Sequence, residues 1–228
     1  MKTKAAVLYE MEQPPPYQES QPLRIEELEL SDPGPGEVLV EIAGAGLCHS
    51  DLSVINGSRP RVMPMVMGHE ASGIVRKMGV GVHDLEVGDH VVFSFVPVCG
   101  HCVPCASGRP ALCENGARAN TKGTLLSGAR RFSNREGCGL NHHLGVSSFS
   151  EYTVTAQESL VKIDPSLPLQ EAALFGCAVM TGVGAVVNTA NIKPGTSTAI
   201  FGMGGVGLSA IMGARVAGSH QIIAVDLL

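Results

Sequence analysis

Four cysteines fall within fifteen positions, as Cys99-Gly-His-Cys102-Val-Pro-Cys105 and then, after seven residues, Cys113. Thiols at this density either close disulfides or converge on a metal. Met1 to Tyr9 carries Lys2 and Lys4 but only about five apolar residues before Glu10, too short a run for a secretory leader. A reducing, cytoplasmic setting is therefore expected, and with it thiolate ligands rather than disulfides. Four soft ligands in a tetrahedron describe a closed structural zinc site. An iron–sulfur run would place its fourth cysteine three residues after the third and follow it with proline, whereas here the gap is seven and Glu114 follows. Pro97, Gly100 and Pro104 suit the tight turns of such a lobe, over about 97–115, and His101 reads as solvent-facing rather than as a fifth ligand.

The chain around this lobe has 228 residues, room for one large domain or two small ones. Sixteen Lys and Arg stand against 21 Asp and Glu, a net charge of −5, so a nucleic-acid surface has no electrostatic basis. Residues 172–192 and 194–214 are uncharged and long enough to span a bilayer. The first contains Asn188, Thr189 and Asn191, and the second is broken by Gly202, Gly204, Gly205 and Gly207, so neither is expected in a membrane.

Two patterns divide the chain. Over residues 3–164 the apolar runs are short: Val38, Val40 and Ile42 alternate with Glu37 and Glu41, further runs cover 74–76 and 90–95, and turns such as Glu86-Val87-Gly88-Asp89 separate them. This predicts an irregular antiparallel barrel. Beyond Pro168, residues 169–190 read as one long helix. A buried strand follows over 198–201, then a helix over 205–217 stopped by Gly218, then a second buried strand over 222–225. The fold class is thus α/β with a β-rich first domain, 1–177, and a second domain starting at 178 with the first βαβ unit of a doubly wound Rossmann sheet.

Two further constellations carry chemistry. Gly46-Leu-Cys48-His49-Ser50-Asp51, Gly68-His69-Glu70 and Gly176-Cys177 offer one imidazole and two thiolates, a set that leaves a fourth zinc position open for a reactant. Each of these residues taken singly reads more often as a small buried hydrophobe or a satisfied polar group than as a ligand. The turn Gly202-Met-Gly204-Gly205-Val206-Gly207 lies between an apolar strand and a helix, with Asp226 closing the next strand. Its glycines permit a tight turn and close approach of a pyrophosphate to a helix N-terminus. Asp226 can accept hydrogen bonds from ribose hydroxyls and would repel a 2′-phosphate, which favours NAD over NADP.

Gly68-His69-Glu70-Ala71-Ser72-Gly73, with Gly79 and Val82 following, resembles the zinc signature of the medium-chain alcohol dehydrogenases. The cysteine lobe and the glycine turn come in that family's order, and the resemblance runs from about Lys4 to the last residue. It implies a GroES-like barrel and two zinc ions: a catalytic one on Cys48, His69 and Cys177, and a structural one on Cys99, Cys102, Cys105 and Cys113. It also implies NAD-dependent oxidation of a primary or secondary alcohol to an aldehyde or ketone. In this resemblance Asp51 orients His69 and Glu70 lies behind the metal. Ser50 takes the substrate proton, although Ser53 stands where many relatives carry a relay His. His49 meets the cofactor pyrophosphate, and Thr181 and Val206 lie on the nicotinamide side. Phe95 is a wall of the alcohol pocket and Arg59 lies near its mouth, reading more naturally as a solvated cation than as a substrate contact. Cys138 matches no ligand position. Because a doubly wound domain usually has six strands, the chain reads as C-terminally truncated. Alone it is expected to hold zinc without appreciable turnover, and in full-length form to be a homo-oligomer.

Overall fold

The computed structural model describes residues 1–227. The chain forms two compact units, Met1–Ala173 and a second that begins at Leu174.

The first unit holds ten strands: β1 (Lys2–Leu8), β2 (Leu23–Leu30), β3 (Glu37–Ala45), β4 (Met65–Val66), β5 (Ala71–Met78), β6 (His90–Phe93), β7 (Phe132–Ser133), β8 (Gly139–His142), β9 (Tyr152–Ala156) and β10 (Leu160–Lys162). Its helices are short: α1 (Tyr17–Ser20), α2 (His49–Ile55), α3 (Val103–Ala106), α4 (Glu114–Lys122) and α5 (Leu169–Ala172). Strands β1, β2, β7, β8 and β4 close a barrel, and β10-β6-β5-β3-β9 form a second sheet. Period-two patterning explains the barrel interior. On β2, Leu28 and Leu30 point inward to meet Val7, Phe132 and Leu140, while Glu27 and Glu29 face out. The second sheet packs Val38, Val40, Val75, Val91 and Phe93 together.

The structure corrects the all-antiparallel expectation, because β4 pairs with β8 in parallel, Met65 opposite Asn141 and Val66 opposite His142. Glu37, on the polar phase of β3, is buried rather than solvated. It accepts from Gly34 N at 2.8 Å, Ser127 Oγ at 2.6 Å and Arg131 Nε at 2.7 Å, the satisfaction a buried carboxylate requires.

His142 on β8 is fully buried. Its Nε2 accepts from the Arg131 amide at 3.1 Å, and burial, reinforced by the charges of Arg130 and Arg131, pushes its pKa down to about 3. The unfolded chain therefore binds a proton that the folded chain refuses between about pH 6.5 and 3, and stability falls as pH falls through that window, by up to about 1.4 kcal/mol per pH unit. His142→Asn is expected to flatten this slope, measured as the difference in denaturant midpoint between neutral and mildly acidic buffer. An unchanged slope would assign the acid sensitivity to another group.

The second unit contains α6 (Ala178–Gly184), α7 (Gly205–Val216), β11 (Ser197–Phe201) and β12 (Gln221–Val225). β11 and β12 pair in parallel, Thr198 opposite Ile222 and Phe201 opposite Val225, so a βαβ unit is present. Small residues let the helices meet, since a Cβ on Gly182 would lie 2.3 Å from the Val206 carbonyl oxygen. Two expectations are corrected here. The helix over 169–190 is interrupted, because Cys177 has φ −141° and ψ −71°, outside the helical region, and residues 185–189 follow as a π-helical turn. The strands are largely exposed, with Phe201 at 78% and Ile223 at 45%, because α7 supports one face and only Ile200 is fully covered. Among the described residues no single helix is long and apolar enough to cross a membrane.

Candidate functional site

The lobe is assembled by short elements that bring thiols inward. Cys102 precedes α3, Cys105 lies within it, and Cys113 precedes α4. The four Sγ atoms lie within 4.8 Å of one another. Cys102 Sγ is 3.3 Å from Cys105 Sγ and 4.0 Å from Cys113 Sγ, whereas a disulfide measures about 2.05 Å. A tetrahedron with zinc–sulfur bonds of about 2.3 Å has sulfur–sulfur edges of about 3.8 Å, which these separations bracket. Cys113 Sγ also accepts from the amides of Cys99 at 3.4 Å and Gly116 at 3.3 Å, as expected of a thiolate ligand. Ionisation of the set is self-opposing: the His101 amide helps pull Cys99 down to about 6, while burial pushes Cys105 up to about 12. A dication resolves that conflict, and the donor set fits zinc.

The second cluster starts at the N-terminus of α2. Cys48 is its N-cap, its Sγ accepting from Ser50 N at 3.5 Å while its own amide donates to Asp51 Oδ2 at 3.2 Å. Asp51 also takes His69 Nδ1 on Oδ1 at 3.0 Å. One carboxylate thus fixes the backbone of Cys48 and the ring of His69, leaving His69 Nε2 for a metal. A Cys48 Sγ and a His69 ring nitrogen lie within 4.8 Å of each other. Gly46 makes room for the Glu70 side chain, since a Cβ there would lie 2.7 Å from Glu70 Oε2, and Glu70 is itself buried.

His143, which no motif flags, stands beside them. Its Nδ1 is 3.2 Å from Asp51 Oδ1, and its ring meets that of His69 edge-on at 5.4 Å. Burial raises the Asp51 pKa, but the bonds from His143 and His69 outweigh it and hold the carboxyl well below the usual range. Phe95 also packs edge-on against His69, with ring centroids 5.8 Å apart. Ser50 Oγ accepts from Arg59 Nη1 at 3.5 Å, and His49 is exposed at the first turn of α2.

In the second unit Cys177 caps α6, and Thr181 N donates to its carbonyl at 2.9 Å. Gly202 sits at φ +92° and Gly204 caps α7. Gly207 is sterically required, because a Cβ there would lie 1.7 Å from the Gly202 carbonyl oxygen. Gly205 packs against Ala178, and Val206 is 43% exposed. Asp226 Oδ2 accepts from Met203 N at 2.5 Å, so the acid at the end of β12 touches the glycine turn.

Residues 34–165, more than half of the chain, match the alcohol dehydrogenase GroES-like domain. The chain belongs to that family. It is 44% identical over 227 residues to an S-(hydroxymethyl)glutathione dehydrogenase of Synechocystis sp., covering 99% of this chain and 59% of the relative. An alcohol dehydrogenase zinc-binding domain protein from Burkholderia ambifaria has a similar structure, with a TM-score of 0.90, 36% identity, and coverage of 100% of this chain and 60% of the other. Benzyl alcohol dehydrogenase from Acinetobacter calcoaceticus follows with a TM-score of 0.85, 33% identity, and coverage of 100% and 59%. The chain therefore spans about three fifths of the length of these relatives.

Proposed function

We propose that this chain carries the zinc sites and the start of the cofactor cleft of an NAD-dependent alcohol dehydrogenase that converts a primary or secondary alcohol to an aldehyde or ketone. The observation that carries the reading is Asp51, whose carboxylate holds both Cys48 and His69 in place. Cys48, His69 and Cys177 would hold the catalytic zinc, and Cys99, Cys102, Cys105 and Cys113 the structural one. Zinc at the first site supplies Lewis acidity towards the alcohol oxygen, and NAD supplies the hydride acceptor.

The protein's part is positional. Asp51 fixes the His69 tautomer so that Nε2 is the ligand. Glu70, buried behind this cluster, would tune the centre through its carboxyl group. Ser50 Oγ would accept the hydroxyl proton of the alcohol and pass it towards solvent; NAD, when bound, would supply the hydride acceptor. His49 would meet the pyrophosphate, Gly202, Gly204, Gly205 and Gly207 would admit it, and Thr181 and Val206 would border the nicotinamide. Asp226 would hold the adenosine ribose.

The test is cofactor titration of the zinc-loaded protein, read together with its zinc content. Asp226→Gly is expected to weaken NAD binding and to narrow the preference for NAD over NADP by about tenfold or more, as removal of a like-charge repulsion at a phosphate implies. Equal affinity for the two cofactors before mutation would remove Asp226 from this role. Absence of cofactor binding by zinc-loaded protein would leave a zinc-binding module in place of the enzyme.

A further inference from the structure

A cavity of about 390 Å³ in the first unit is bordered by Arg59, Arg61, Phe95, Leu112, Asn120 and Leu144. Its walls are mostly apolar, and none of its lining residues is acidic. Arg76 is paired with Glu41 and Arg131 with Glu37, and Arg130 donates to Asn141 Oδ1. Arg59 and Arg61 differ. Among the described residues neither lies within ion-pair distance of a carboxylate. The side chain of Arg59 makes a single long hydrogen bond, to Ser50 Oγ at 3.5 Å. Arg61 is half-buried, and its Nε is wholly buried with no acceptor. Arg59 is exposed, whereas the buried Arg61 Nε is unfavourable until an acceptor joins it, and an anion held between the two guanidinium groups would supply one.

The cavity adjoins the proposed alcohol site. Phe95 packs edge-on against His69, and Arg59 reaches the Ser50 hydroxyl. Leu144 follows His143, whose ring meets that of His69 edge-on, so the cavity wall continues into the cluster. Asn120 donates from Nδ2 to the Phe95 carbonyl at 2.9 Å, holding the backbone of that wall in place.

We propose that this cavity is a carboxylate-recognising subsite, and that the preferred alcohol carries a carboxylate on an apolar body, its anionic end on Arg61 and Arg59 and its hydroxyl end towards Ser50. A planar carboxylate matches the guanidinium fork, and the apolar lining takes an aryl or short alkyl body. The proposal rests on the alcohol-dehydrogenase reading for the identity of the hydroxyl end, while the anion site stands on the cavity itself.

The test separates the two. Calorimetric titration of zinc-loaded protein with benzoate and with its neutral isostere benzamide reads the subsite. Benzoate is expected to bind about tenfold or more tightly than benzamide. Arg61→Gln should abolish that difference, Arg59→Gln should reduce it, and Arg61→Lys, which keeps the charge and loses the fork, should retain part of it. Equal binding of the two probes, or a difference untouched by Arg61→Gln in a variant with unchanged circular dichroism, overturns the proposal. In cobalt-substituted protein, 4-(hydroxymethyl)benzoate should perturb the visible bands at lower concentration than benzyl alcohol. If benzyl alcohol perturbs them and the carboxylate gives no gain, the subsite is refuted and the dehydrogenase reading stands. If benzoate binds through Arg61 but no alcohol perturbs the bands, the reading of the hydroxyl end fails and the anion site remains.

Discussion

Replacing Cys113 by serine is expected to remove one of about two zinc equivalents and to destabilise the first unit by about 4 kcal/mol or more, since loss of a metal belongs to the small set of mechanisms with effects that large. Cys113 is the buried member of the lobe, it receives the Cys99 and Gly116 amides, and it precedes α4. Its loss therefore unseats a helix as well as a ligand. Losing even a residue that only supports a ligand typically costs 10–100-fold in metal affinity, so loss of the ligand itself should exceed that. Metal analysis after dialysis, with thermal unfolding of the same sample, checks both effects. Two equivalents and an unchanged unfolding midpoint would mean that the four thiols are not a metal site.

His69→Ala is expected to produce the complementary result. The lobe keeps its zinc, the second equivalent is lost, and any alcohol oxidation falls by about a thousandfold or more, the equivalent of roughly 4 kcal/mol of lost transition-state stabilisation. The variant also deprives a buried Asp51 oxygen of a hydrogen-bond donor, and leaving such a group unsatisfied costs about 1–3 kcal/mol. His69→Asn, which can still donate to Asp51, should recover part of the folding stability without the metal. Retention of both zinc equivalents in either variant would exclude His69 as a ligand.

The lobe was legible because its determinants are local. Four cysteines with turn-forming residues between them leave few conformations other than convergence, and the structure brings their Sγ atoms within 4.8 Å. The glycine turn was legible for a similar reason, and the contact of Gly207 with the Gly202 carbonyl shows why the third glycine bears no side chain. Strand phase was readable on β2, where leucines alternate with glutamates. It failed at Glu37, whose burial depends on Arg131 and Ser127, some ninety residues away along the chain. The predicted helix over 169–190 failed at Cys177, where favourable composition was overridden by a backbone conformation that local propensity does not specify.

What the sequence determined by itself was chemical identity: soft thiolates at a metal-binding spacing, a His–Glu signature, a glycine turn and an acid one strand later. These depend on residue type and short separations, which the covalent chain fixes. What only the tertiary structure decided was which polar groups meet. Asp51 holds His69 from eighteen residues away and has His143 at the same carboxylate oxygen, and the pairing of β4 with β8 places the segment ending in His142 beside the one leading to His69. Arg61 lies on a cavity without a carboxylate because no acidic residue from α4 or the adjoining loops reaches it. Such juxtapositions arise from sheet pairing and loop closure between distant segments. They are selected by burial of the apolar faces around them, and a single sequence position records its own chemistry but not the neighbour that packing will give it.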